Sequence, residues 1–116
     1  MFRVIIAGSR SFNDYELLKS RCDFFLQNKS DVVIISGTAQ GADSLGERYA
    51  SERGFSVLRF PAHWDMYGKG AGYIRNVTMA KNADAVIVFW DGNSPGTKHM
   101  IDIANQKKLP VRIVRF

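Results

Sequence analysis

One cysteine, Cys22, stands in 116 residues, which excludes an internal disulfide and any CxxC redox or metal motif. Its apolar neighbours Leu18 and Phe25 predict a buried small hydrophobe, because reactive thiols need a polar, partly exposed setting. His63 and His99 have no second histidine or cysteine at ligand spacing, so no metal is expected. The chain contains no repeat, no low-complexity tract and no linker. No apolar run is long enough to cross a membrane. The first, "FRVIIAG" (2–8), runs straight into glycine and is also too short for a signal-peptide core. A P-loop lysine motif and a GxGxxG are both missing, which weakens ordinary nucleoside-triphosphatase and dinucleotide readings. The expectation is a cytoplasmic chain with one domain over 1–116 and no cofactor.

What is present is alternation. Five β-branched, nearly unbroken apolar runs read as strands: 2–8, "DVVIISG" (31–37), "FSVLRF" (55–60), "DAVIVFW" (84–90) and "PVRIVRF" (110–116). Helical patterns lie between them. Tyr15, Leu18, Cys22, Phe25 and Leu26 form one apolar face, with Asn13 and Glu16 spaced like a capping pair. Ala42, Leu45, Gly46, Tyr49 and Ala50 form a second. Residues 71–82 make a third. A fourth runs over 95–108, with Ser94 as N-cap and Pro95 at the first helical position. Strand–helix alternation throughout predicts a single α/β, Rossmann-like, doubly wound domain. Its five-stranded parallel sheet is expected in the order 3-2-1-4-5, with helices on both faces. A hydrophobic share of 46% gives such a chain enough to build one core.

The net charge of +5 favours phosphate-bearing partners without naming them. Lys107, Lys108, Arg112 and Arg115 crowd the C-terminal end, where charge also serves to keep an exposed sheet edge from pairing with another chain.

Ligands of such sheets bind beyond the carboxyl ends of the strands, where the winding reverses. That point falls between the first and fourth strands, so "GSRSF" (8–12) and "DGNSPGT" (91–97) should meet there, with "SGTAQGAD" (36–43) beside them. Helix N-termini offer free N–H groups and positive dipole ends, which suit phosphate. Gly8, Gly37, Gly41 and Gly96 are expected to allow close backbone approach. Ser9, Ser36, Thr38, Ser94 and Thr97 would add hydroxyls, and Arg10 and Lys98 charge. Any one glycine after a strand is ordinary turn chemistry; three such loops at one switch point say more. The connection "PAHWDMYGKGAG" (61–72) is long for a structureless loop. It reads either as a lid, with Trp64 for a base and Lys69 for phosphate, or as a loop whose Trp64 and Tyr67 pack onto the end of the sheet. Arg75 follows it, in the first turns of the next helix.

"IAGSRSF", "SGTAQGAD", "AHWDMYGKGAGYIRNVTMA" and "FWDGNSPGTKHMI" together resemble the YspA/YpsA-related branch of the SLOG superfamily over nearly the whole chain. The superfamily includes the Lonely-guy phosphoribohydrolases, the DNA-processing protein A family and ligand-sensing domains of antiphage systems. The resemblance implies a Rossmann-like fold, a nucleotide or nucleotide-derived ligand and a homodimer or higher oligomer. Lonely-guy enzymes carry an "RKxxM" and a "PGGxGTxxE" motif. Here "RNVTM" keeps Arg75 and Met79 but has Asn76 for the lysine. "NSPGTKHM" keeps Gly96 and Thr97 but places Met100 where the glutamate belongs. Loss of a general acid–base group costs about 10²–10⁴-fold. Asp102, two residues on, sits about 200° further round a helix.

Three readings follow. The first is a binder of a nucleotide-type ligand. The second is an N-glycoside hydrolase acting on nucleoside phosphates, with Asp43, Asp91 and Arg75 as candidate catalytic groups. The third is a single-stranded nucleic-acid binder, disfavoured because aromatics are not interleaved with the basic tail. Asp43 opens a helix and is expected to cap it; Asp91 ends a strand. Leu17 and Phe24 widen the apolar face of the first helix beyond what sheet packing needs, which also predicts self-association.

Overall fold

The computed structural model describes all residues, Met1–Phe116. Its elements run β1 (Phe2–Gly8), α1 (Tyr15–Leu26), β2 (Val32–Ser36), α2 (Ala42–Arg53), β3 (Ser56–Arg59), α3 (Trp64–Tyr67), a 3₁₀ turn (Gly68–Gly70), α4 (Ala71–Lys81), β4 (Ala85–Trp90), α5 (Pro95–Gln106) and β5 (Val111–Arg115). All four strand pairings are parallel, in the order β3-β2-β1-β4-β5. This is the α/β, Rossmann-like arrangement expected from the alternation.

Side chains alternate across each strand, so β1 feeds two cores. Val4 and Ile6 point to one face with Ile34, Ile87 and Phe89, covered by Leu18 and Cys22 of α1 and Tyr49 and Ala50 of α2. Ile5 and Ala7 point to the other with Ile35, Val86 and Val88, covered by Met79 and Ala80 of α4 and Met100, Ile101 and Ala104 of α5. Gly46 lets α2 settle onto β1: a Cβ there would lie 2.8 Å from Ile6 Cγ2. Burial pushes the Cys22 thiol up to about 12, which leaves it protonated and inert.

Several local expectations need correction. Burial on both faces holds for the inner strands, but β3 and β5 are edges and expose Leu58 and Ile113. Helix α1 is capped by Asp14, whose Oδ1 accepts from Leu17 N at 3.1 Å, and not by an Asn13–Glu16 pair. Phe12 is drawn under the sheet, stacked on Phe89, and the first helical turn starts only after it. Helix α5 ends at Gln106, two residues early, because Lys108 takes a positive φ of 60°. The 61–72 connection is not structureless, since α3 and the 3₁₀ turn occupy most of it. The wide stripe on α1 narrows to Phe24, 63% exposed, because Leu17 and Phe25 tuck partly against the first core.

Candidate functional site

The crossovers from β1 and β2 lie on one face of the sheet and those around β4 on the other. The carboxyl ends of β1 and β4 therefore open into a crevice. A cavity of about 500 Å³ lies there. Ala7 to Ser11 form its floor, Ser94 to Thr97 and Met100 of the α5 start one wall, and Gly72, Tyr73, Arg75, Asn76 and Met79 of α4 another. Asp43 and Ala39 close the back, and Trp64 and Lys69 stand at the mouth.

The floor is set by close backbone packing. Ser9 N donates to Phe89 O at 2.9 Å, and a Cβ on Gly8 would overlap that same carbonyl oxygen. Gly41 takes φ +76° where the start of α2 presses on the carbonyls of Ser9 and Arg10, so a side chain is excluded both by conformation and by space.

The α5 wall is built by Asp91. Its Oδ1 accepts from Asn93 N and Ser94 N, each at 2.8 Å, and these amide bonds hold its carboxyl below the usual carboxylate range. The Ser94 hydroxyl lies 3.0 Å from Asp91 Oδ1 and 2.8 Å from Ser9 Oγ. Ser9 Oγ in turn accepts from Asp91 N at 3.2 Å, which pins the loop before α5 to the end of β1. Ser94 is thus the residue at the N-cap position, but its side chain makes no cap bond. The amides of Gly96 and Thr97 precede Lys98 N, the first helical donor, so the helix leaves them unpaired, and both residues line the crevice.

The α4 wall carries Arg75. Its Nη1 donates to Gly37 O, and its Nε donates to Asn76 Oδ1 at 3.0 Å. Asn76 is buried and reaches across to α5: its Nδ2 donates to Gly96 O at 3.2 Å and stands 3.2 Å from His99 Nδ1. One side chain therefore fixes both the guanidinium and the turn that opens α5. Burial lowers the Arg75 pKa from its ordinary value, opposed by nearby Asp43 and reinforced by Arg10. Burial also lowers that of His99, against the pull of Asp102.

Asp43 is the one carboxyl in the cavity, 5% exposed. It does not cap α2, whose N-cap is Gly41; its Oδ2 accepts instead from Ala39 N at 3.2 Å. Burial pushes its pKa up to about 6, against the Ala39 amide and the charges of Arg75 and Arg10, with Glu47 adding to the rise.

The structure thus brings Gly8, Ser9, Arg10, Asp43, Trp64, Lys69, Arg75, Asn76, Ser94, Gly96 and Thr97 to one cavity. Ser36, Gly37, Thr38, Gly41, Asp91 and Lys98 do not line it. The Ser36 hydroxyl donates to Glu47 at 2.6 Å and receives Thr38 N, while Lys98 pairs with Asp102 on the outer face of α5. Gly37, Gly41 and Asp91 shape the walls from behind. Trp64 does not pack onto the sheet end: it is 51% exposed and lies over Gly72. Tyr67 turns to a separate cavity of about 200 Å³, shared with His63 and Ile74. Gly72 and Tyr73 line the main cavity without having been named as site residues, and Met79 and Met100, noted only as motif positions, line it too. The i, i+4, i+7 spacing of Gly72, Asn76 and Met79 is the signal that would have found that face of α4.

A family model described as "YspA, cpYpsA-related SLOG family" matches residues 2–67. The Gene 61 protein of Mycobacterium phage D29 is 34% identical over 118 aligned residues, covering 96% of this chain and 94% of that protein. Among solved structures, DNA processing protein A from Streptococcus pneumoniae superposes with a TM-score of 0.76 at 20% identity. That match covers 97% of this chain but 49% of the other, so the chain spans about half of that protein's length. A structural-genomics target, TM1055, superposes with a TM-score of 0.70 at 19% identity, over 96% of this chain and 72% of the other. At these identities the two structures speak for the fold alone.

The Asp43 carboxyl makes stability depend on pH in a defined direction. The folded chain holds its proton up to about pH 6, whereas the unfolded chain releases it near the ordinary value of 3.8. Stability is therefore lost as pH rises through that window, and the loss is complete above it. Asp43→Asn keeps an acceptor for Ala39 N and carries no charge. Its stability relative to the wild type is expected to rise between pH 4 and 7 by on the order of 2 kcal/mol, at about 1.4 kcal/mol per pKa unit. Urea denaturation at pH 4.5 and pH 8 checks this; a difference that stays constant with pH would show that Asp43 carries no charge penalty.

Proposed function

The chain belongs to the YspA, cpYpsA-related SLOG family, and from that premise we propose that its crevice binds a nucleotide or a nucleotide-derived small molecule. The observation that carries this reading is the composition of a single cavity. Free helix-start amides, the Ser9 hydroxyl and the cations Arg10, Lys69 and Arg75 gather where an anion would sit, and Trp64 and Tyr73 stand exposed at the mouth. Amides and guanidinium groups suit phosphate oxygens. Exposed aromatic faces suit a base. A volume of about 500 Å³ falls in the usual range for small-molecule sites, roughly 300–1,000 Å³.

Hydrolysis of an N-glycosidic bond is the second reading, and Asp43 is the observation in its favour. Asp91 supports it poorly, because its carboxylate is occupied by two amides and a hydroxyl. Met100, at the position of the missing glutamate, is buried and offers no proton chemistry. Release of free base that disappears in Asp43→Asn would favour the hydrolase over the binder. A single-stranded nucleic-acid partner is the third reading; it would show a steep loss of affinity with salt.

Two outcomes test the binder. A Cβ on Gly96 meets nothing within 4 Å, so Gly96→Val is expected to fold normally while its branched side chain blocks the α5 amides. Arg10→Ala removes a charged donor that makes no hydrogen bond within the protein. Such bonds are worth about 1.5–3 kcal/mol, so calorimetry with nucleoside diphosphates and ADP-ribose should show affinity roughly 10–100-fold weaker. Unchanged affinity in both variants would remove the crevice from consideration. Self-association through the exposed Phe24 belongs to the same proposal: light scattering at micromolar concentration should give more than a monomer mass, reduced in Phe24→Glu, and a monomeric wild type would contradict it.

A further inference from the structure

We propose that Asp43 takes part in binding as the neutral carboxylic acid, donating its hydroxyl to an oxygen of the anionic ligand, so that each ligand bound near neutral pH carries a proton into the site. This rests on the anion-binding reading of the same crevice and adds to it a donor and a coupling.

Asp43 is almost wholly buried yet lines the cavity. Its surroundings are few and can be named. From the β2–α2 loop, Ala39 N donates to Oδ2, and the Gly37 backbone passes so close that a Cβ there would lie 2.7 Å from that oxygen. From α4, the Arg75 guanidinium approaches the same point, 2.6 Å from that Cβ position, but it is committed to Gly37 O and Asn76 Oδ1 and forms no ion pair with Asp43. Arg10 contributes charge from the β1–α1 loop. Glu47, one turn along α2, adds negative charge and is itself bonded to Ser36 and Arg59. The carboxyl therefore has one amide bond and no ion pair.

A buried carboxylate held that sparsely is costly, and protonation removes the cost. The ionised form offers only acceptors and repels an incoming phosphate; the neutral acid has an O–H to give. A second anion beside it favours the protonated form further. Burial already places Asp43 at about 6, so the proton is available close to neutral pH.

ADP-ribose is the probe, because a phosphomonoester would itself titrate near pH 6 and confuse the reading. Calorimetry at pH 7.5 in buffers of different ionisation enthalpy is expected to show uptake approaching one proton per ligand. Apparent affinity should fall by up to about tenfold per pH unit between 6.5 and 8. Asp43→Asn should bind without proton uptake and with a flat pH profile. Asp43→Ala should also be flat, but weaker than the wild type at pH 5, because the donor is gone. Binding by the wild type with no uptake and no pH dependence would overturn the inference and leave the crevice reading standing. Asp43→Ala binding as tightly as the wild type at pH 5 would reduce Asp43 to a source of repulsion. Absence of ADP-ribose binding at every pH would overturn both. Carbon-13 NMR of the free protein gives an arm that needs neither ligand nor variant: the Asp43 carboxyl should titrate near 6, and an ordinary value near 4 would overturn the inference.

Discussion

The reversal of winding between β1 and β4 is the constraint on which the rest of the molecule depends. Helices α1 and α2 pack on one face of the sheet and α4 and α5 on the other, so no crossover covers the gap between those two strand ends. The loops themselves bridge the gap at its floor. Ser9 N bonds to Phe89 O, and the Ser9–Ser94–Asp91 set ties the loop before α5 to the end of β1. Above that staple Arg75 ties α4 to the β2–α2 loop through Gly37 O, and Asn76 ties it to the opening turn of α5 through Gly96 O. Asn76 sets the geometry between the two walls, with Arg75 on one of its polar ends and Gly96 on the other.

This arrangement explains why the departures from the Lonely-guy motifs fall as they do. A lysine at the Asn76 position would add a cation to the crevice, whereas the amide can both accept from Arg75 and donate to Gly96 O. At position 100 a carboxyl would point at the same cavity, and methionine leaves that wall apolar. The cavity that results carries Arg10, Lys69 and Arg75 against Asp43 alone.

The strands were legible because buried parallel strands must be continuously apolar, and five such runs separated by helical periods leave few topologies. The crevice was legible for the same reason, since it follows from strand order. Detail failed where tertiary packing decided. Asp14 replaced Asn13 as the cap because burial of Phe12 set where α1 begins. The hydroxyls of Ser36 and Ser94 both looked available, but Glu47 takes the first and the Ser9–Asp91 staple takes the second. Lys98, one residue after Thr97, is turned outward by the helix and pairs with Asp102. Asp43 read as a cap because it stands in a first turn; only the fold shows that it lines the cavity and that the Nε and Nη1 of Arg75 bond to Asn76 and Gly37 rather than to it. Charge state of that kind depends on burial, which no spacing in the sequence expresses.

A crystal structure of the protein grown with ADP-ribose tests the central claim most directly. The account predicts the pyrophosphate against the amides of Gly96 and Thr97 and the loop after β1, with Arg10 and Arg75 on its oxygens and the base towards Trp64 or Tyr73. A ligand lodged elsewhere, such as along the basic edge strand β5, or a crevice that stays empty at saturating concentration, would contradict it.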